Sequence, residues 1–239
     1  MLSFPKKVIE WIVGKRKRRN QVAEIYREKD YLAAYSEHTD IRVERDSHSA
    51  IGGMWEEMGK LQFEFLVSKG LKPHHKLLDI GCGTLRGGRH FIQYLNVGNY
   101  SGIDISPMAI EYGQKLVEME GLSGKRPRLL VSRNRDLKFL EFGGEAFDFL
   151  LAQSVFTHLK PEHVEECFRH VNQIMNPDSL FFFTFRERPE FQWTRLKEFS
   201  YPRSFFLSLG DQYGFWLTDC SGEYNHPRGQ RMAMIRISS

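Results

Sequence analysis

From Lys76 onward, short apolar runs alternate with segments of helical spacing, and that alternation admits few folds. "KLLDI" (76–80), "YSGIDI" (100–105), "RLLVS" (128–132), "FDFLLA" (147–152) and "SLFFFTF" (179–185) read as strands. Between them lie "RHFIQYL", "PMAIEYGQKLVEME" and "PEHVEECFRHVNQIM". Ser106 is placed to cap the second of these helices and Pro107 to open it, while Pro161 opens the third and Asn176-Pro177 ends it. Strands alternating with helices predict a doubly wound parallel sheet. The tail departs from the pattern: "FWLTDC" (215–220) and "RMAMIRI" (231–237) have only a loop between them. Such a pair is a hairpin, so the seventh and last strand is expected to run antiparallel.

The first 50 residues are read as a helical extension with a basic amphipathic start, and residues 51–239 as the α/β domain. Residues 1–35 have helical character, and Gly52-Gly53 breaks the chain before a second helix, "MWEEMGKLQFEFLVSKG". There Met54, Met58, Leu61, Phe65 and Leu66 recur at helical spacing, and Gly70 is a stop signal.

The stretch "LLDIGCGTLRGG" (77–88) ends a strand on an acid and turns through glycines. In an open α/β sheet, ligands bind beyond the carboxyl ends of the strands, so this turn is a binding position before any motif is invoked. Gly81 and Gly83 allow tight backbone and close ligand approach. The following helix presents free N–H groups to an oxygen-rich ligand. Dinucleotide binders show G-x-G-x-x-G. Here the spacing is Gly81-x-Gly83-x-x-x-Gly87, and Asp79 stands two residues before the first glycine. A carboxylate there repels a pyrophosphate and suits a ligand carrying an ammonium and a sulfonium.

On these residues the chain resembles the class I S-adenosylmethionine-dependent methyltransferases, over about residues 54–237. "LLDIGCGTLRGG" looks like their first motif and "YSGIDIS" like their second. The resemblance implies a Rossmann-like, mostly parallel seven-stranded sheet and S-adenosyl-L-methionine as cofactor, with no metal. It implies cofactor contacts from Asp79, Gly81, Cys82, Gly83 and Arg86, and from Asp104 and Ile105. Asp104 would accept hydrogen bonds from the two ribose hydroxyls. Asp136-Leu137 matches the position that reads the adenine edge, and Gln153, with Ser154, follows the fourth strand. Asp178-Ser179 stands where the family usually has a glycine. "LRGGRHFIQYL", "AQSVFTHL" and "HPRGQRM" look closest to bacterial methyltransferases that modify surface polysaccharides and other glycans. Adenine or amide N-methylation commonly places an Asn/Asp-Pro-Pro-aromatic run after strand four, and "AQSVFTH" argues against that branch.

Such a cofactor already carries the activated methyl, so the protein mainly orients the acceptor, and a hydroxyl acceptor adds the need for a base. The expected base is His226, in the loop "SGEYNHPRGQ" (221–230), with His158 of "VFTHL" as the other candidate. Glu56 and Glu57 either approach the methyl end or form a solvated helix face. Phe191, Trp193, Tyr201, Phe205 and Phe206 lie between strands five and six; that insertion, with "RERPEFQWTRLKEF" (186–199), is the expected acceptor-binding segment, its aromatic faces either stacking on a sugar or base ring or packing the core. The expected reaction is O-methylation of a sugar hydroxyl on a glycan or glycolipid precursor. Two other readings stand beside it: a methyltransferase of a small metabolite, protein or nucleic acid, and a non-catalytic cofactor-binding regulator or scaffold.

Charge bears on partners. Residues 1–20 carry seven lysines and arginines against Glu10, which leaves the rest of the +4 chain net negative. That argues against a broad nucleic-acid surface. Phe4, Trp11, Ile12 and Val13 followed by "KRKRR" resemble a peripheral anchor on an anionic membrane; a helix packed on the domain, a dimer contact or a nucleic-acid tail are the other readings. No apolar stretch approaches the roughly 18 residues of a membrane span, and no cleavable secretory signal is visible. Cys82, Cys167 and Cys220 form no ligand-like cluster. Together these features suggest a cytoplasmic protein, peripheral at the inner membrane surface if the anchor engages.

Overall fold

Two faces of one sheet bury most of the apolar residues, and the alternation within single strands shows why. In the computed structural model, which describes Gly14 and residues 20–50 and 52–238, seven strands form a single sheet. They are β1 (Leu77–Ile80), β2 (Tyr100–Asp104), β3 (Arg128–Val131), β4 (Phe147–Ala152), β5 (Met175–Phe185), β8 (Phe215–Asp219) and β9 (Arg231–Ile237), in the order β3-β2-β1-β4-β5-β9-β8. β9 is antiparallel to both its neighbours, so the other six strands share one direction. A separate hairpin, β6 (Gln192–Arg195) with β7 (Glu198–Ser200), lies between β5 and β8 in the chain.

Leu78 and Ile80 of β1, with Phe181, Phe183 and Phe185 of β5, enter one core. Leu77 and Phe182, one position out of step, enter the other. This is the period-2 pleat of a strand buried on both faces. Helices α7 (Pro161–His170) and α8 (Arg203–Tyr213) cover the first face through Phe168 and Phe206, whose rings surround Phe183 with Phe156. Helices α4 (Trp55–Ser68), α5 (Gly88–Tyr94) and α6 (Pro107–Met119) cover the second through Phe65, Phe91 and Ile110. Ser106 caps α6, its Oγ accepting from the Ala109 N–H at 3.0 Å.

Three local expectations need correction. The N-terminal helix is broken: residues 20–28 (α1) are helical, and Asp30 then starts α2 (Tyr31–Arg45) by accepting the Ala33 N–H at 3.0 Å. Asn176-Pro177 does not end a helix. α7 stops at His170, a single 3-10 turn follows, and Asn176–Asp178 form an exposed bulge inside β5. Ser179 closes that bulge by donating to the Phe147 carbonyl at 2.6 Å. Third, the sequence pattern did not foresee β6, β7 and α8.

The N-terminal helices bear directly on the sheet. α2 crosses the carboxyl ends of the strands, with α3 (Ser47–Ala50) behind it. Ser36 Oγ donates to the Ile105 carbonyl at 2.8 Å and Tyr31 Oη to the His158 carbonyl at 2.6 Å. Asp40 accepts from Ser106 Oγ and from the Met108 N–H. These bonds roof the crevice that the strand ends leave open. Among the described residues no helix is long and apolar enough to cross a membrane. The basic anchor expected over residues 1–20 lies outside the described residues, save Gly14 and Asn20.

Candidate active site

A cavity of about 310 Å³ opens at the carboxyl ends of β1, β2 and β4, beneath α2. Its size falls at the lower end of the range for small-molecule sites. The glycine turn shapes one wall. Gly81 has φ 69°, and a Cβ there would lie 2.5 Å from Val155 Cγ2. A side chain is therefore excluded by both conformation and space. At Gly88 a Cβ would lie 2.4 Å from Tyr100 Oη, so α5 packs against β2 only without one.

Two acids hold this wall together. Asp104, at the end of β2, accepts the Gly83 N–H on Oδ2 and the Ser106 N–H on Oδ1, each at 2.8 Å. Each oxygen keeps a second lone pair, which suits the two hydroxyls of a ribose. Burial pushes its carboxyl above the ordinary value, against the pull of those N–H groups. Asp79 accepts from Tyr100 Oη at 2.8 Å. Burial raises its carboxyl to about 7, opposed by that hydrogen bond and by Arg86, and reinforced by Asp104. Two buried carboxyls side by side in a low-dielectric wall favour a cationic guest. A sulfonium nucleoside with a free ammonium matches that demand, and the bare turn leaves room for it.

The structure places each expected cofactor residue on the cavity. Asp79, Gly81, Cys82, Gly83, Arg86, Asp104, Ile105, Asp136, Leu137 and Gln153 all line it. Their availability differs. Arg86 donates to the Gly53 carbonyl at 2.8 Å, and burial lowers its pKa to about 10. The Leu137 N–H is taken by Glu166 at 3.0 Å. Gln153 is locked, accepting from Tyr224 Oη at 2.8 Å and donating to Ser154 Oγ at 3.1 Å. The Cys82 thiol is buried and its pKa pushed far up, so it is inert as a nucleophile.

The two histidines separate. His158 lines the cavity, and its Nδ1 is 2.6 Å from the Lys197 carbonyl. A carbonyl only accepts, so Nδ1 carries the proton and Nε2 the lone pair. Burial, with Lys197 and Arg42 nearby, lowers its pKa to about 3. His226 is not among the lining residues. Its loop folds back so that Tyr224 is buried against Phe65, and the Arg228 N–H occupies its Nδ1 at 3.1 Å. Glu56 pairs with Arg89, away from the cavity. Of the aromatic segment, Tyr201 and Phe206 belong to the core and Phe205 packs against it, while Phe191 and Trp193 are exposed.

On the opposite wall, sequence reasoning singled out none of the individual side chains except His158. Tyr35 and Arg42 of α2, Arg186 after β5, Lys197 and Glu198 of the β6–β7 hairpin, and Gln230 before β9 all reach the cavity. Arg186, Lys197 and Glu198 fall within "RERPEFQWTRLKEF", the expected acceptor segment, though its aromatics and not these charges were singled out, and "HPRGQRM" contains Gln230. Among the described residues, no three His, Cys, Asp or Glu gather as a metal set.

Two measurements test the donor wall. Asp104→Ala should weaken S-adenosylmethionine binding by about 1–3 kcal/mol, the range for removing a charged hydrogen-bond partner, read by calorimetry. An unchanged dissociation constant would remove Asp104 from the site. For Asp79 the sign follows from its raised pKa: the ionised form pairs with a cation, so binding expels a proton and weakens on acidification. Affinity should drop roughly tenfold or more from pH 7.5 to 5.5, and Asp79→Asn should flatten that slope. A pH-independent wild-type constant would contradict the pairing.

The comparisons with known proteins agree with this geometry. The sequence model of a family described as "Methyltransferase domain" matches residues 78–181, which include the glycine turn and both acids. An uncharacterized protein of Rickettsia prowazekii is 24% identical over 114 residues, 48% of this chain and 44% of that protein. The cyclopropane-fatty-acyl-phospholipid synthase of Escherichia coli K12 is 27% identical over 111 residues, 46% of this chain and 26% of that enzyme. The chain thus matches less than half the length of these relatives. Among solved structures, the magnesium protoporphyrin IX methyltransferase of Synechocystis with bound S-adenosylmethionine superimposes with a TM-score of 0.64 at 17% identity, covering 88% of this chain and 98% of that one. A Leishmania major S-adenosylmethionine-dependent methyltransferase gives 0.66 at 13%, covering 89% and 85%. Residues 78–181 thus match the model of a methyltransferase domain, and the chain has the fold of the class I S-adenosylmethionine-dependent methyltransferases.

Proposed function

We propose that this methyltransferase O-methylates a hydroxyl on a polar, sugar-like acceptor belonging to a glycan or glycolipid precursor. The observation that carries this reading is the character of the wall opposite the two acids. Arg186, Lys197, Glu198, Arg228 and Gln230 make it polar, with His158 beside them. An apolar acceptor would cover the Lys197 ammonium, which no hydrogen bond reaches among the described residues, and the Arg186–Glu198 pair without replacing their water, at a cost of about 1–3 kcal/mol for each polar group left unpaired. A hydroxylated acceptor satisfies them.

When bound, S-adenosylmethionine supplies a methyl activated by a sulfonium. The chain's part is to orient the acceptor and receive a proton. His158 fits the second role because its orientation is fixed at Nδ1 and its ring is neutral at physiological pH. Its low pKa makes it a weak base in the ground state, so it serves as the hydroxyl's hydrogen-bond acceptor while the oxygen loses its proton late in transfer. Ser154, held at φ 61° by the Thr184 hydroxyl at 2.7 Å, gives the same wall a rigid floor.

The test is a screen of sugars, nucleotide sugars and glycolipid head groups with labelled donor, read by mass spectrometry for a methyl ether. His158→Gln should lower kcat by about 100-fold, the lower range for losing a general base, with donor affinity unchanged. Methyl found only on nitrogen or carbon, or full activity in His158→Gln, would overturn the reading.

A further inference from the structure

Positive charge is concentrated on the acceptor wall. Arg42 of α2, Arg186 after β5 and Lys197 of the β6–β7 turn line it together. All three act electrostatically on the His158 ring, and Arg186 acts on His226 as well, together with Arg86 and Arg228. The acid on this wall is Glu198, which already faces Arg186 at 3.4 Å and Arg195 at 3.8 Å. Asp79, Asp104 and Asp136 belong to the donor wall, as does Glu166, which accepts the Leu137 N–H.

Lys197 is the telling member. It sits in the tight turn of the β6–β7 hairpin, its carbonyl held by His158 and its ammonium 5.0 Å from the centre of the Tyr35 ring. Among the described residues no hydrogen bond or ion pair reaches its Nζ. Burial and the nearby Arg42 push its pKa down to about 7, with Glu198 only partly opposing them. A half-buried ammonium beside other cations is costly, and such a cost is ordinarily relieved by a counter-charge. Among the described residues none pairs with its ammonium, Glu198 being engaged by Arg186 and Arg195, while the cavity gives a small anion access.

We propose that the acceptor carries an anionic oxygen group, a phosphate or a carboxylate, seated against Lys197 and Arg186 so that its hydroxyl is presented beside His158. This deepens the hydroxyl-methylation reading and rests on it for the identity of the reacting group. It accounts for an arrangement that neutral-sugar binding leaves unexplained. Lys197 would act as a positioning residue, contacting the acceptor away from the reacting oxygen.

The test measures binding without turnover, so it stands apart from whether a hydroxyl is methylated. Protein saturated with S-adenosylhomocysteine is titrated with glucose, glucose 6-phosphate and glucuronate by calorimetry. At least one anionic sugar should bind about tenfold or more tightly than glucose, the scale of a charge-assisted hydrogen bond. Which one binds separates phosphate from carboxylate. Lys197→Met should abolish that preference while S-adenosylhomocysteine affinity and the thermal midpoint hold, and Lys197→Arg should retain it. Equal affinity for all three sugars in the wild type would overturn the proposal. So would a loss of S-adenosylhomocysteine binding in Lys197→Met as large as the loss of anionic sugar, since the cluster would then serve the cofactor's own carboxylate.

Discussion

The carboxylate of Asp104 ties two strand ends into one binding wall. Its two oxygens take the N–H groups of Gly83 and Ser106, so the turn after β1 and the start of α6 share one anchor. Charge-assisted bonds of this kind are about twice as strong as neutral ones. The turn itself has little of its own to hold it, being mostly bare backbone at positive φ. Asp79, buried beneath it and bonded to Tyr100, sets the field that this backbone faces. A cationic donor is thus selected by two acids whose positions are determined by the sheet, before any loop contributes.

The other half of the site has a different origin. It is assembled from α2, the residue after β5, the β6–β7 turn and the loop before β9. The bonds from Ser36, Tyr31 and Asp40 bring α2 over the strand ends and set Tyr35 and Arg42 above the crevice. The N-terminal segment is therefore part of the site's enclosure. The two walls of the cavity differ in charge, one acidic and central in the sheet, the other mostly cationic and peripheral. Such a division lets the acceptor wall vary while the donor wall stays the same.

What the sequence made legible follows the same division. Strands β1 to β5, β8 and β9 were readable because each is a short apolar run bounded by turn residues, and the donor residues were readable because they lie within a few positions of those runs. Asn176-Pro177 misled because a turn signal can mark a bulge as well as a helix end, and only pairing with Phe147 distinguishes them. β6, β7 and α8 carry aromatic residues at mixed spacing that fits neither period cleanly. Lys197 lay in the segment expected to bind the acceptor, but its role there was not legible, and Arg42 gave no local signal, since their joint meaning lies in proximity across 155 residues of chain. His226 looked suited to catalysis from its place at a loop tip, yet it is not among the residues that line the cavity, and the Arg228 N–H occupies its Nδ1.

Titration of the purified chain with S-adenosylhomocysteine and, separately, with a pyridine dinucleotide is the most direct check on the acid-lined donor wall. Binding of the sulfur nucleoside alone, at micromolar or tighter affinity, is the expected result. Uptake of the dinucleotide with no affinity for the sulfur nucleoside would mean that Asp79 and Asp104 serve a different ligand.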